Sequence, residues 1–182
     1  WNGRSSYRTF FKSLYSDTGI YFAIVCEDMK ISSSFIEDFS DLFREDVVEV
    51  FLWPDESQSV YFEYEISPLD CELPLLVSNC RGKFHGWLPW NFKGERKTRH
   101  ATSCRGGRKA SFEKIDEWTA EFFIPFALLK GLSDVPPVKG SCWRMNVCRI
   151  DYDEKPESHW AWDDRVKDTF HDIGNFGSVV FV

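Results

Sequence analysis

The stretch Arg44-Glu-Asp-Val-Val-Glu-Val-Phe-Leu-Trp-Pro-Asp-Glu-Ser-Gln-Ser-Val-Tyr-Phe-Glu-Tyr-Glu-Ile-Ser-Pro68 decides the fold. It reads as two β-strands, Val47 to Leu52 and Val60 to Ile66, joined by a polar turn at Pro54 and Asp55. Strand side chains alternate between faces. Val48, Val50 and Leu52 therefore share one face of the first strand, and Val47, Glu49 and Phe51 share the other. In the second strand Phe62, Tyr64 and Ile66 oppose Tyr61, Glu63 and Glu65. A carboxylate in such a strand is costly unless it is solvated, paired or used. The hairpin therefore predicts a sheet with an apolar core face and a mixed, glutamate-bearing face where polar ligands could bind.

The same reading extends to both sides. Tyr7 to Leu14 and Ile20 to Cys26 form an opening hairpin around Ser16-Asp17-Thr18-Gly19. Phe35 to Leu42 carries a short helical turn, as does Phe126 to Lys130. Leu73 to Val77, Trp118 to Ile124, Trp143 to Ile150 and Gly177 to Val182 read as further strands. Asn79 to Gly107 and Asp151 to Asn175 read as two long loops, and loops of that length are usually functional or disordered. Many short strands punctuated by Gly and Pro predict an all-β protein. The expected architecture is an antiparallel β-sandwich of immunoglobulin or jelly-roll type with long loops. At 182 residues, a single domain over 1–182 is expected.

Composition narrows the function classes. The net charge is −7, against a general nucleic-acid binder, which needs a basic surface. No apolar run approaches a membrane span. Trp1 rather than Met in first place suggests a mature or trimmed piece. The six cysteines include no CxxC pair, so a structural zinc site is not expected. Cys26 and Cys148 read as buried thiols, while Cys71 and Cys80 could bridge across the intervening loop.

On the mixed faces, Glu49, Glu63, Glu65 and Glu121 call for a cation or donors. Arg144, Arg149, a calcium ion or sugar hydroxyls could serve, and Arg144 shares a face with Asn146 and Cys148. The long loops hold Trp87, Trp90 and Phe92 in one, and Trp160, Trp162, Phe170 and His171 in the other. Tryptophans beside Arg, Asp and His suit a pyranose, with the ring stacked on the sugar and polar groups on its hydroxyls. The four histidines are scattered and read as surface or loop residues. The sequence contains no phosphate-binding Gly loop, no Gly-x-Ser-x-Gly elbow and no His-Glu-x-x-His.

Five segments in order resemble family 9 carbohydrate-binding modules and their bacterial family 9-like relatives. They are Gly19-Ile-Tyr-Phe-Ala-Ile-Val-Cys-Glu-Asp28, Glu45-Asp-Val-Val-Glu-Val-Phe-Leu-Trp-Pro-Asp55, Trp118-Thr-Ala-Glu-Phe-Phe-Ile-Pro-Phe126, Arg144-Met-Asn-Val-Cys-Arg-Ile-Asp151 and Phe176-Gly-Ser-Val-Val-Phe181. The resemblance implies an antiparallel β-sandwich that binds sugar between two aromatic rings, often with structural calcium. It places those rings at Phe43 and Phe170, where characterised modules have Trp, and the hydroxyl-binding glutamate at Glu49. At Glu63 it implies a ligand-contacting arginine, so this chain reverses that charge.

The expected function is non-catalytic carbohydrate binding. Phe43, Glu49, Glu63, Trp87, Trp90, Arg144, Asn146, Trp160, Trp162 and Phe170 are the candidate ligand contacts. No cofactor beyond a structural calcium is expected. The resemblance implies a secreted or periplasmic protein, attached to glycoside hydrolases or acting with them in polysaccharide degradation. Two other readings compete. A small β-sandwich glycoside hydrolase would use two of Glu49, Glu63, Glu65 and Glu121. A haem-binding redox domain would use Met29 or Met145 with a histidine.

Overall fold

Gly19 opens the second strand of the opening hairpin and lets that strand lie close against the one that carries Phe123 and Ile124. A Cβ at Gly19 would lie 2.4 Å from the Ile124 carbonyl oxygen and 2.5 Å from the Phe123 ring. The computed structural model describes residues 7–165 and 169–182. Strands β1 (Thr9–Ser16) and β2 (Gly19–Glu27) pair antiparallel. They continue into β3 (Val47–Trp53), β4 (Val60–Ile66), β5 (Glu72–Cys80), β6 (Lys83–Pro89) and β7 (Arg99–Arg105). After these come β8 (Glu117–Pro125), β9 (Cys142–Asp151), β10 (Ser158–Ala161) and β11 (Gly177–Val180).

Two antiparallel sheets result, as the strand pattern predicts. One has the order β1-β2-β8-β7. The other runs β10-β9-β3-β4-β5-β6, with β11 also on β9. Between the sheets lies a core of Ile20, Phe22 and Ile24 from β2, and Ala120, Phe122 and Ile124 from β8. Opposite them are Val48, Val50, Leu52, Phe62, Tyr64, Ile66, Trp143, Met145 and Val147. These are the apolar faces that alternation predicts.

The other face of the larger sheet differs from its expected form. It is not an open polar surface. Val47, Phe51, Tyr61, Leu73, Leu75, Val77, Cys148 and Ile150 pack there against Leu42, Phe170, Ile173 and Phe176. Residues 169–176 and the segment before β3 pack over this face, and all of β3 is buried. The long-loop readings change accordingly. Residues 79–107 contain β6 and β7, and residues 151–175 contain β10 and a 3-10 turn at Ile173–Asn175. The expected helical turn at 35–42 is instead a 3-10 turn at Leu42–Arg44.

Two buried polar groups clamp the sandwich. At one edge Glu72 of β5 accepts hydrogen bonds from Tyr64 Oη (2.9 Å) and Thr98 Oγ1, and lies 3.0 Å from His100 Nδ1 of β7. Burial opposes its charge, but the bonds from His100 and Thr98 outweigh that and hold the carboxyl below its ordinary range. Charge-assisted hydrogen bonds contribute about 1.5–3 kcal/mol each. Glu72→Gln is therefore expected to lower stability by about 2 kcal/mol in urea denaturation, and an unchanged midpoint would contradict this clamp.

At one end of the sandwich the fully buried Arg149 donates to Glu27 O (2.7 Å), Asp28 Oδ2 (2.9 Å) and Asp151 Oδ2 (2.5 Å). It points between the sheets, so it cannot serve the glutamates on the opposite face.

The cysteines are free thiols, with Cys26 and Cys148 buried. Cys71 and Cys80 do not bridge, because Cys71 directly precedes the extended β5 and Cys80 ends it, about 30 Å of strand apart.

Candidate functional site

The strand register assembles an acidic cluster. On β3 and β4, Glu49 pairs directly with Glu65, and Phe51 pairs with Glu63. All three carboxyls point to the roofed face of the large sheet, with oxygens within 4.8 Å of one another. They are 3%, 3% and 1% exposed for Glu49, Glu63 and Glu65. Glu121 does not join them; it is exposed on β8 of the other sheet.

Burial without a cation favours the neutral acid. It pushes the Glu49 carboxyl up to about 8. Glu63 is held well above its ordinary range by burial and then by the Glu49 charge. Glu65 is raised by burial, then by the charges of Glu49 and Glu63.

These carboxyls line a cavity of about 350 Å³. Phe43, from the turn before β3, lines it, with Leu75 of β5, Phe84 and Trp87 of β6, and Ile150 of β9. The returning segment adds Thr169, Phe170 and His171. This is the size of a small-ligand pocket with apolar walls and a few convergent polar groups.

His171 is not a loose surface residue. Its Nδ1 lies 2.6 Å from Tyr61 Oη, and its carbonyl accepts from Asn79 Nδ2 at 2.9 Å. Its ring stacks on Phe84 at 4.4 Å and 20°. Burial lowers the imidazole to about 4, so it is neutral near pH 7. Glu63 Oε2, 3.9 Å from Nδ1, is outside hydrogen-bond range and gains no cation from it.

The fold thus brings Phe43, Glu49, Glu63, Trp87 and Phe170 together. It places the other candidate contacts elsewhere. Arg144 sits opposite Trp53, four residues along the sheet from the level of Glu49, and reaches Ser178 Oγ and Gly174 O, each at 3.4 Å. Asn146 is buried, its Oδ1 accepting from Val147 N and Asp163 N, each at 3.0 Å. Trp90 donates Nε1 to Leu128 O at 2.7 Å and packs with Phe92 against the inter-sheet core. Trp160 pairs with Arg149 and packs on that same core. Trp162 meets Phe11 edge-on at 5.6 Å and covers Gly177, where a Cβ would lie 2.6 Å from its ring.

Residues that sequence reasoning missed also line the cavity. Phe84 falls in a segment read as irregular, because Gly82 and Gly86 interrupt its alternation. His171 carries no signal beyond its neighbour Phe170. Neither methionine lines the cavity: Met29 is exposed and Met145 packs between the sheets.

A second acidic group, Asp28, Asp46 and Asp153, has the spacing of a metal site. Its oxygens already accept hydrogen bonds. Asp28 accepts from Lys30 N, Trp118 Nε1 and Arg149 Nη2. Asp46 accepts from Ser32 N and Tyr152 N, and Asp153 from Ser32 Oγ and Tyr7 Oη. Within this group Arg149 pairs with Asp28, and Lys30 lies 3.7 Å from Asp153.

No family model matches the sequence, and no curated protein matches it either. Solved structures do. A candidate carbohydrate-binding protein from Bacteroides uniformis superimposes with a TM-score of 0.75 at 14% identity, over 97% of this chain and 79% of that one. A family 9 carbohydrate-binding module from Caldicellulosiruptor kristjanssonii in complex with glucose gives 0.67 at 13% identity, over 100% and 80%. Such a module from the same organism in complex with cellotriose gives 0.65 at 15%, over 99% and 77%. The chain has the β-sandwich fold of these family 9 modules.

Proposed function

We propose that this chain is a non-catalytic carbohydrate-binding domain whose ligand occupies the cavity over β3 and β4. One observation carries the reading. The three residues that the family resemblance links to sugar contact, Phe43, Glu49 and Phe170, converge on one cavity with Trp87 and Phe84. Phe43 and Trp87 are only half-buried and can present ring faces to a sugar, while the more buried Phe170 forms the wall. The shared fold with modules complexed with glucose and cellotriose supports the same reading. A secreted or periplasmic role beside glycoside hydrolases fits it.

Hydrolysis fits the geometry less well. It needs two carboxyl groups flanking the scissile bond, one of them ionised as nucleophile or base. Glu49, Glu63 and Glu65 rise from one sheet face, and burial favours the protonated form of each.

Calorimetry against mono- and oligosaccharides tests the proposal. Phe43→Ala and Trp87→Ala are each expected to weaken binding about tenfold, the loss of one stacking ring. Absence of binding to any glycan would refute the reading.

A further inference from the structure

We infer that the cavity recognises a sugar bearing a positively charged amino group, seated on Glu49, Glu63 and Glu65. This rests on the carbohydrate-binding reading and adds the chemical class of the sugar. The cluster lines an aromatic cavity, and two of its oxygens lack partners. Glu63 Oε2 and Glu65 Oε2 are buried and accept no hydrogen bond. Among the described residues, no Lys or Arg pairs with any of the three carboxyls. Where the family resemblance implies an arginine, this chain has Glu63 itself. Among the described residues, the titratable groups that face the cluster are Tyr61, Cys148, Tyr152 and the neutral His171, none of them cationic, while Arg44, over the outer Phe43 ring, pairs with Asp41.

An alkylammonium matches what is missing. It has three N–H donors, and its bonds to carboxylates run about 2.7–2.9 Å. Tetrahedral geometry then sets the acceptors about 4.6 Å apart, within the 4.8 Å spread of these oxygens. The rings of Phe43, Phe84 and Trp87 add faces that attract a cation. A bare divalent ion would sit about 2.3–2.6 Å from the oxygens and leave most of the aromatic cavity unfilled. A neutral sugar would leave the carboxyls protonated, so its binding would release no protons.

Proton linkage follows. Empty, the carboxyls favour the protonated form. Seating an ammonium favours ionised carboxylates, so binding releases protons into the buffer. Affinity therefore rises with pH until the amine itself loses its proton.

Isothermal titration near pH 7, in two buffers of different ionisation enthalpy, tests this. D-glucosamine and its β-1,4 trimer are compared with D-glucose, N-acetyl-D-glucosamine and cellotriose. The amino sugars are expected to bind at least tenfold tighter than their neutral counterparts, with proton release. Glu63→Gln is expected to shrink that preference tenfold or more. Should this variant misfold, the wild-type preference and proton count still decide. Equal or tighter binding of glucose or cellotriose overturns the amino-group inference and leaves the sugar reading standing. Calcium chloride that binds and excludes the amino sugar identifies a metal as the occupant and also overturns it. Silence with every sugar overturns the carbohydrate reading itself.

Discussion

Arg149→Met is expected to lower stability by about 3–5 kcal/mol, the usual consequence of stranding a buried partner charge. For a chain of this size that is a fall in Tm of about 6–20 °C. Arg149 is the cation on which Asp28 and Asp151 converge, and it also holds the Glu27 carbonyl, joining β9 to the end of β2. Methionine fills part of the volume but leaves both carboxylates and that carbonyl without their donor. Lysine would not restore them, because a single ammonium cannot reproduce the planar fork.

The defect should depend on pH. Burial already raises Asp28 to about 8 and Asp46 to about 7, with Arg149 present and lowering both. A carboxyl raised in the folded state contributes stability that is fully present below its unfolded value near 3.8, and that is lost as pH rises through the folded value. Removing Arg149 raises both further, so the variant should approach wild type in acid and diverge most above pH 8. Thermal melts at pH 5 and pH 8 read this directly. A shift under 2 °C at pH 8 would show that Arg149 is not the clamp.

The second large effect concerns the ligand-free acidic cluster. Stability is expected to be higher at pH 5 than at pH 8 by several kcal/mol in urea denaturation. The sign follows from the same linkage. Glu49, Glu63 and Glu65 are all raised in the folded state, so their contribution is complete below about 4.5 and falls as pH climbs. Within that window each such carboxyl costs up to about 1.4 kcal/mol per pH unit, and for Glu49 the window closes near 8. Glutamine resembles the neutral acid in shape and donor capacity. Glu63→Gln should therefore stabilise the empty protein at pH 8 by about 2 kcal/mol and flatten part of the slope. Functional sites commonly carry such a stability cost. A pH-independent wild type, or a Glu63→Gln protein less stable at pH 8, would remove the basis for the cluster's ionisation behaviour.

Much of the fold is legible in the hairpin at 44–68. Alternation alone places Glu49 on one face of its strand and Glu63 and Glu65 on one face of the next. Those faces coincide because the register pairs Glu49 with Glu65 and Phe51 with Glu63 across a six-residue polar connection, where Trp53 Nε1 donates to Gln58 O at 3.0 Å. The inter-sheet residues read equally well, since Val48, Val50, Phe62 and Tyr64 follow the same period. Strand β6 was illegible for a physical reason. It is largely exposed and Gly-interrupted, and its place is set by backbone pairing to β5 rather than by buried side chains.

By itself, then, the sequence determined which side of each strand a residue occupies, because a two-residue period is a local property of extended backbone. It marked out Phe43, Glu49 and Phe170 without showing what surrounds them. Only the tertiary structure decided that residues 169–176 roof the glutamate face, turning an expected open surface into an aromatic-walled cavity. It also decided that Trp90, Trp160 and Trp162 pack elsewhere. Which loop covers which face depends on contacts among residues far apart in the chain, and no local pattern encodes them.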